Sequence, residues 1–337
     1  MIFPRRCHLR CDVPSFIERH RAFWRLLFYQ LHHHQRTVFY AIDRRDRCFT
    51  IGVVKPFLLL VGCSWMPLAL PMMADEQTRH IDVHGHRGAR GLRPENTLPA
   101  FEYAIAQGVD VLELDMAVTK DGVVVVSHDP ILQPPVCSGP KPMAAIHELT
   151  SAEVKQWDCG RIQNPGFTRQ QAIPGTRMPT LEEVFALAPE GTFKFNIETK
   201  IFAEHPELAP PPDEFVRLVL ALIRKHHLES RIILQSFDFR TLHEMKKQGP
   251  EIQLAALYEG PARGFVEITK EAGADMISPN YHLVTAEQVR AAHAAGIPVV
   301  PWTPDTEADW SLLVFAGVDA IITDDPAGLI AYLKRSH

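Results

Sequence analysis

Between residues 81 and 323 the chain alternates between short apolar runs and longer helix-forming stretches. The runs lie at 81–84, 111–118, 193–200, 231–237, 253–258, 276–279, 298–302 and 320–323. Ile232-Ile233-Leu234 and Ala320-Ile321-Ile322-Thr323 have the β-branched, unbroken apolar character of parallel strands buried on both faces. Gly249, Gly273, Gly296 and Gly317 punctuate the turns from helix back to strand. Eight such strands over about 260 residues are the size of a (β/α)8 TIM barrel, although a doubly wound open sheet alternates in the same way. The position of the polar residues separates the two. They gather at the C-terminal ends of many different strands, as the active face of a barrel requires. The expected fold is therefore an α/β barrel over residues 79–337, with a small inserted excursion at 130–178 after the second strand.

The densest chemistry falls between His84 and Asp129. His86 and Arg87 leave the first strand at a glycine turn. A helix follows, with Asn96 or Thr97 as N-cap, Leu98, Phe101 and Ile105 on its apolar stripe, and Gly108 as its stop. Glu113 and Asp115 then sit two apart in the second strand, so both point to one face while Leu112, Leu114 and Met116 point to the other. Lys120-Asp121-Gly122 turns the chain into a hairpin that ends at His128 and Asp129. Two carboxylates aimed together repel unless one is protonated or a cation lies between them. A hard divalent ion with oxygen ligands relieves that repulsion. Imidazole is suited to proton transfer near neutral pH, and one histidine flanks the carboxylate pair on each side.

These segments, HRG, PENT, ELD, a DG turn and HD in order, resemble the signature of the glycerophosphodiester phosphodiesterase family. The resemblance extends from about Arg79 to the C-terminus. It implies an enzyme that hydrolyses glycerophosphodiesters to sn-glycerol 3-phosphate and an alcohol such as choline, ethanolamine or glycerol. It also implies one divalent cation, Mg²⁺ or Ca²⁺, held by Glu113, Asp115 and Glu198, the last in an IETK segment similar to the family's E-x-K. His86 and His128 would share the general acid and base roles. Arg87 and Lys200 would offset phosphoryl charge, because guanidinium and ammonium groups match phosphate oxygens. Gln235, in a QSF segment, and Trp302 resemble family residues near the substrate. Arg90 and Arg93 either join Arg87 or face solvent, Glu95 and Asn96 orient the loop, and Tyr258 and Asn280 are weaker lining candidates. Related barrels act on lysophospholipids or phosphoinositides, and a binding protein without catalysis is a further alternative.

Charge is uneven along the chain. Residues 1–55 hold ten Arg and one Lys against four acids, whereas residues 75–337 hold 24 basic and 36 acidic groups, a net of −12. An acidic body argues against nucleic acid as a partner, and the small-molecule substrate is what the family resemblance implies. Residues 1–52 read as a disordered or mis-assigned leader. Residues 53–74 read as a secretory signal, with Lys55 before an uncharged apolar run that ends near Ala74. Translation would then begin near Val53 or Val54, and the mature protein would be periplasmic or secreted. Pro67 and Pro71 count against a stable membrane span. Leu60-Val61-Gly62-Cys63 resembles a lipoprotein processing box, but the apolar continuation after Cys63 counts against lipidation. Export would leave Cys137 and Cys159 as an even pair in an oxidising compartment, free to bridge or to stay as separate buried thiols. The excursion that carries them is expected to cap the barrel mouth and to have little core of its own.

Overall fold

The computed structural model describes residues 80–336 and, before them, the backbone of three strands, Tyr29–His33, Arg36–Ile42 and Cys48–Val53. Those three pair in sequence order as an antiparallel sheet and belong to a unit separate from the one beginning at Ala74. The expected signal segment lies mostly outside the described residues.

The larger unit is a (β/α)8 barrel. Its strands are β1 (Asp82–Gly85), β2 (Val111–Val118) with hairpin partner β3 (Val124–Val126), β4 (Lys194–Thr199), β5 (Ile232–Ser236), β6 (Gln253–Tyr258), β7 (Met276–Pro279) and β8 (Ala320–Thr323). Apart from the antiparallel hairpin they run parallel in the order β7-β6-β5-β4-β2-β1-β8. The eighth stave is residues 299–302. It joins β7 through the pair Ile277 and Val299 and joins β8 through the pair Trp302 and Ile322, which closes the ring. All eight expected strands are present, and the polar strand ends share one mouth.

Strand alternation gives the barrel two cores. Leu112, Leu114, Phe195, Ile197, Leu234 and Ile277 face outward into the layer of helices. Their neighbours Ile233, Ala255, Met276, Val300, Ala320 and Ile322 fill the interior. The period of two in a strand thus assigns Glu113, Asp115, Asn196 and Glu198 to the inside.

Two helix stripes differ from expectation. In Leu98–Gln107 the buried residues are Ala100, Phe101 and Ala104, while Leu98 and Ile105 are partly buried. Small residues are needed because the β1 loop comes close: a Cβ on Gly88 would lie 2.7 Å from the Ala100 carbonyl carbon. In Pro212–Lys225 the sequence pattern predicts a buried stripe of Phe215, Leu218, Val219, Leu222 and Ile223; Val216 and Leu220 are instead buried with Phe215, Val219 and Ile223, whereas Leu218 and Leu222 turn toward Val123 at the surface.

The excursion packs on the active-face side and braces the β1 loop. Gln170 donates to the carbonyls of Arg90 and Arg93, the Gln171 amide donates to that of Leu92, and the Arg90 guanidinium lies 5.0 Å from the Phe167 ring centre. The expectation of little core needs correction. Leu132, Cys137, Ile146, Leu149, Val154, Trp157, Cys159 and Met178 form a cluster of buried side chains with Ala117 and Val125 of the hairpin. Cys137 and Cys159 are joined by a disulfide.

Candidate active site

The β1 loop sets up the site. Arg87 and Gly88 both take positive φ, 48° and 83°, so the chain turns sharply and aims the Arg87 amide into the barrel. That N–H donates to Glu113 Oε2 at 2.8 Å. Asn96 also has positive φ, 57°, and is buried. Its side-chain amide donates to Asp115 Oδ2 at 2.9 Å and its side-chain oxygen accepts from the Asp115 amide at 3.3 Å. Positive φ in non-glycine residues costs energy and gathers where the surroundings impose it, often at functional sites. Two of the three such residues among those described, Arg87 and Asn96, hold the carboxylate pair; the third is His227.

Glu113, Asp115 and Glu198 each offer an oxygen, all within 4.8 Å of one another, and all three side chains are buried. The register explains it: Asp115 pairs with Glu198 across β2 and β4. Burial, then the neighbouring Asp115 charge, holds the Glu113 carboxyl well above its ordinary range. Burial also pushes Glu198 up to about 7, against the pull of Lys200. Asp115 is held well below the usual range because the Arg87 and Lys200 charges outweigh its burial. Lys200 Nζ donates to Glu198 Oε1 at 2.9 Å and lies 3.6 Å from Asp115 Oδ1. Arg87 donates from a terminal guanidinium nitrogen to Glu95 Oε1 at 2.7 Å, and its Nε stands 3.2 Å from Asp115 Oδ2 without a hydrogen bond. Such a cluster of carboxylates has the donor set of a hard divalent ion.

His86 stands beside this cluster. Its Nδ1 is 2.5 Å from Asp324 Oδ1 and its Nε2 is 3.9 Å from Glu113 Oε2. Burial outweighs the Asp324 charge and lowers the imidazole to about 4. Asp324, at the end of β8, is held at about 2 because His86, and then Arg90, outweigh its burial. Asp305 Oδ1 accepts from the Asp324 amide at 2.8 Å and from the Thr323 hydroxyl at 3.0 Å, which fixes the turn. His128 is half-buried at the end of the hairpin, with Nδ1 2.7 Å from Asp129 Oδ1.

The nine residues to which the sequence assigns catalysis, metal or substrate, His86, Arg87, Glu113, Asp115, His128, Glu198, Lys200, Gln235 and Trp302, line one cleft of about 200 Å³. Gln235 uses its amide within the wall: Nε2 donates to Glu113 Oε1 at 2.8 Å and Oε1 accepts from Asn196 at 2.9 Å. Arg90 joins the cleft, whereas Arg93 leaves it to stack 4.3 Å from the Tyr103 ring centre. Tyr258 and Asn280 stay outside the lining, and Tyr258 bonds the Pro261 carbonyl. The sequence reading missed Asp324, Phe237 and Glu259. Asp324 follows a strand end in an ITDDP segment, so the rule that found the others could have found it.

Comparison with known proteins agrees with this geometry. The sequence model of the glycerophosphoryl diester phosphodiesterase family matches residues 86–328. A glycerophosphodiester phosphodiesterase of Caldanaerobacter subterraneus is 34% identical over 256 residues, covering 75% of this chain and 98% of its own. One from Bacillus subtilis is 30% identical over 253 residues, covering 72% and 82%. A crystal structure described as a glycerophosphoryl diester phosphodiesterase, from Silicibacter pomeroyi, is 30% identical with a TM-score of 0.72, covering 77% of this chain and 95% of its own. The chain is an enzyme of the glycerophosphoryl diester phosphodiesterase family.

Proposed function

We propose that the protein hydrolyses glycerophosphodiesters to sn-glycerol 3-phosphate and a free alcohol, with one divalent cation and two histidines. The observation that carries this reading is the buried trio Glu113, Asp115 and Glu198, set beside a histidine whose far nitrogen is fixed by Asp324. The trio would hold Mg²⁺ or Ca²⁺. Such an ion, when bound, supplies Lewis-acid charge for the phosphoryl oxygens.

The chain's own residues do the rest. Asp324 is ionised, so the proton in its bond to His86 sits on Nδ1 and Nε2 is free to accept another. His86 is therefore assigned the general base, which takes a proton from the attacking water. As the new P–O bond forms, the bond to the alcohol breaks, and His128 gives its proton to the departing oxygen. Arg87 and Lys200 face the cleft and offset charge on the transition state. Gln235 and Asn96 hold two of the carboxylates in place, and Trp302 forms part of the opposite wall. The disulfide supports an exported, oxidising location.

The test is turnover of a panel of glycerophosphodiesters with and without chelator. Turnover abolished by chelator and restored by Mg²⁺ or Ca²⁺ is expected. Glu113→Gln keeps shape and removes charge, so it should lower kcat/KM on the order of 100-fold and be partly rescued by excess ion. Chelator-resistant turnover, or a fully active Glu113→Gln enzyme in limiting metal, would overturn the reading.

A further inference from the structure

Among the described residues, three buried side-chain polar atoms lack a hydrogen-bond partner: Arg87 Nε, His84 Nδ1 and Asn196 Oδ1. Arg87 Nε belongs to the cleft and stands beside Asp115. The other two lie beneath the cleft. His84 and Asn196 each come two residues before a side chain that lines it, His86 and Glu198, and a strand returns to the same face every second residue. Ala255 and Val300 stand in the same relation to Leu257 and Trp302, and both fill the interior. These four come from the first, third, fifth and seventh staves, the alternate-strand set that forms one layer of a barrel interior. Such layers are ordinarily filled by bulky branched side chains. Here two members are polar, and Ala255 is small.

Asn196 is the foot of a chain of directed hydrogen bonds. Its Nδ2 donates to Gln235 Oε1 at 2.9 Å, and Gln235 Nε2 donates to Glu113 Oε1 at 2.8 Å. The direction matters, because a Glu113 ionised to hold a cation can only accept. Were Asn196 turned over, Gln235 would turn with it and aim its carbonyl oxygen at the carboxylate. In the observed direction Asn196 Oδ1 ends the chain, and a buried acceptor left without a donor is costly. The ring of His84 has a donor to give. Burial, and then the Lys194 charge, lower it to about 3, so it is neutral and carries one N–H.

We propose that His84 is a positioning residue for Glu113, acting through one buried water that accepts from His84 Nδ1 and donates to Asn196 Oδ1. The chain then runs one way, from His84 through water, Asn196 and Gln235 to the carboxylate, and keeps both amides turned so that Glu113 receives a donor. Buried water commonly satisfies polar groups that do not reach each other directly. This inference rests on the proposed cation site and adds the residues that support it from below.

The experiment measures Mg²⁺ and Ca²⁺ affinity by calorimetry in His84→Leu, Asn196→Leu and the double variant. Groups behind a metal ligand contribute about tenfold or more to affinity, so Asn196→Leu should weaken binding about tenfold and His84→Leu, one step further away, about fivefold. Because both act through one chain, the double variant should lose about tenfold, not the product of about fiftyfold. His84→Gln keeps an N–H and should stay within about twofold of the wild type. A histidine that only fills space would leave affinity unchanged on replacement by leucine. Unchanged affinity in His84→Leu, or a double variant that loses the full product, overturns the relay while leaving the cation standing. A wild type that binds neither ion overturns the cation itself. A crystal structure of the metal-free wild type tests the relay independently of the ion and of how the variants fold. It should show an ordered water within hydrogen-bonding distance of both His84 Nδ1 and Asn196 Oδ1. A dry gap there, or other partners for the two atoms, overturns the relay.

Discussion

His86 takes its role from Asp324, a residue 238 positions away in sequence. Replacing Asp324 by Asn removes the charge that fixes the proton on Nδ1. By analogy with other histidine–carboxylate pairs, kcat should fall on the order of 10³-fold with a changed pH profile. An unchanged profile in Asp324→Asn would count against the assignment. Glu198 makes a second prediction at this scale. Its carboxyl titrates at about 7 in the fold, above the value near 4.5 of a free glutamate. The proton it holds stabilises the metal-free fold fully below pH about 4.5, and that contribution is lost as pH rises through about 7. A cation that needs ionised Glu198 should bind more tightly over the same interval. The rise in Tm on adding Mg²⁺ or Ca²⁺ should therefore be larger at pH 8 than at pH 5.5, and Glu198→Gln should shrink the difference. A metal-induced rise that is equal at both pH values in the wild type would refute this.

At the scale of elements, strands were the legible part and helices less so. A strand's period of two leaves little freedom, so Glu113, Asp115 and Glu198 could be assigned to one face and were found there. A helix stripe can rotate by a residue, as Leu218 and Leu222 show, where partial burial competes with full burial at little cost. The excursion was legible only as an interruption. Its buried residues, from Leu132 to Met178, follow no period, and its core exists because the hairpin offers Ala117 and Val125 as a floor. Asp324 was overlooked for a different reason: its partner lies at the other end of the chain. The disulfide makes the third prediction. Cys137 and Cys159 border a small crevice that His128 also lines. Reduction should lower stability by roughly 3 kcal/mol, the chain-entropy figure for a loop of this length, and reduce kcat by freeing the ground behind His128. Equal kcat before and after complete reduction would separate the bridge from catalysis.

At the scale of the whole molecule, the barrel was legible because each of its eight strands carries its own polar end. The closure is less uniform than that regularity suggests. All seven staves that run from β7 to β8 in the sheet are joined by continuous ladders to at least one neighbour over four or more residue pairs. Residues 298–302 share four backbone hydrogen bonds with residues 277–281 but only two with residues 319–322, where Pro301 offers no N–H. Local opening follows the density of such bonds. In hydrogen exchange, the amides of Val300 and Trp302, which donate to Ile277 and Pro279 carbonyls, should exchange before those of β4. Exchange of β4 ahead of them would contradict this. A barrel that breathes along this stave yields first beside the Trp302 side chain, so the cleft can loosen for a departing alcohol while the carboxylate trio, anchored across β2 and β4, stays still.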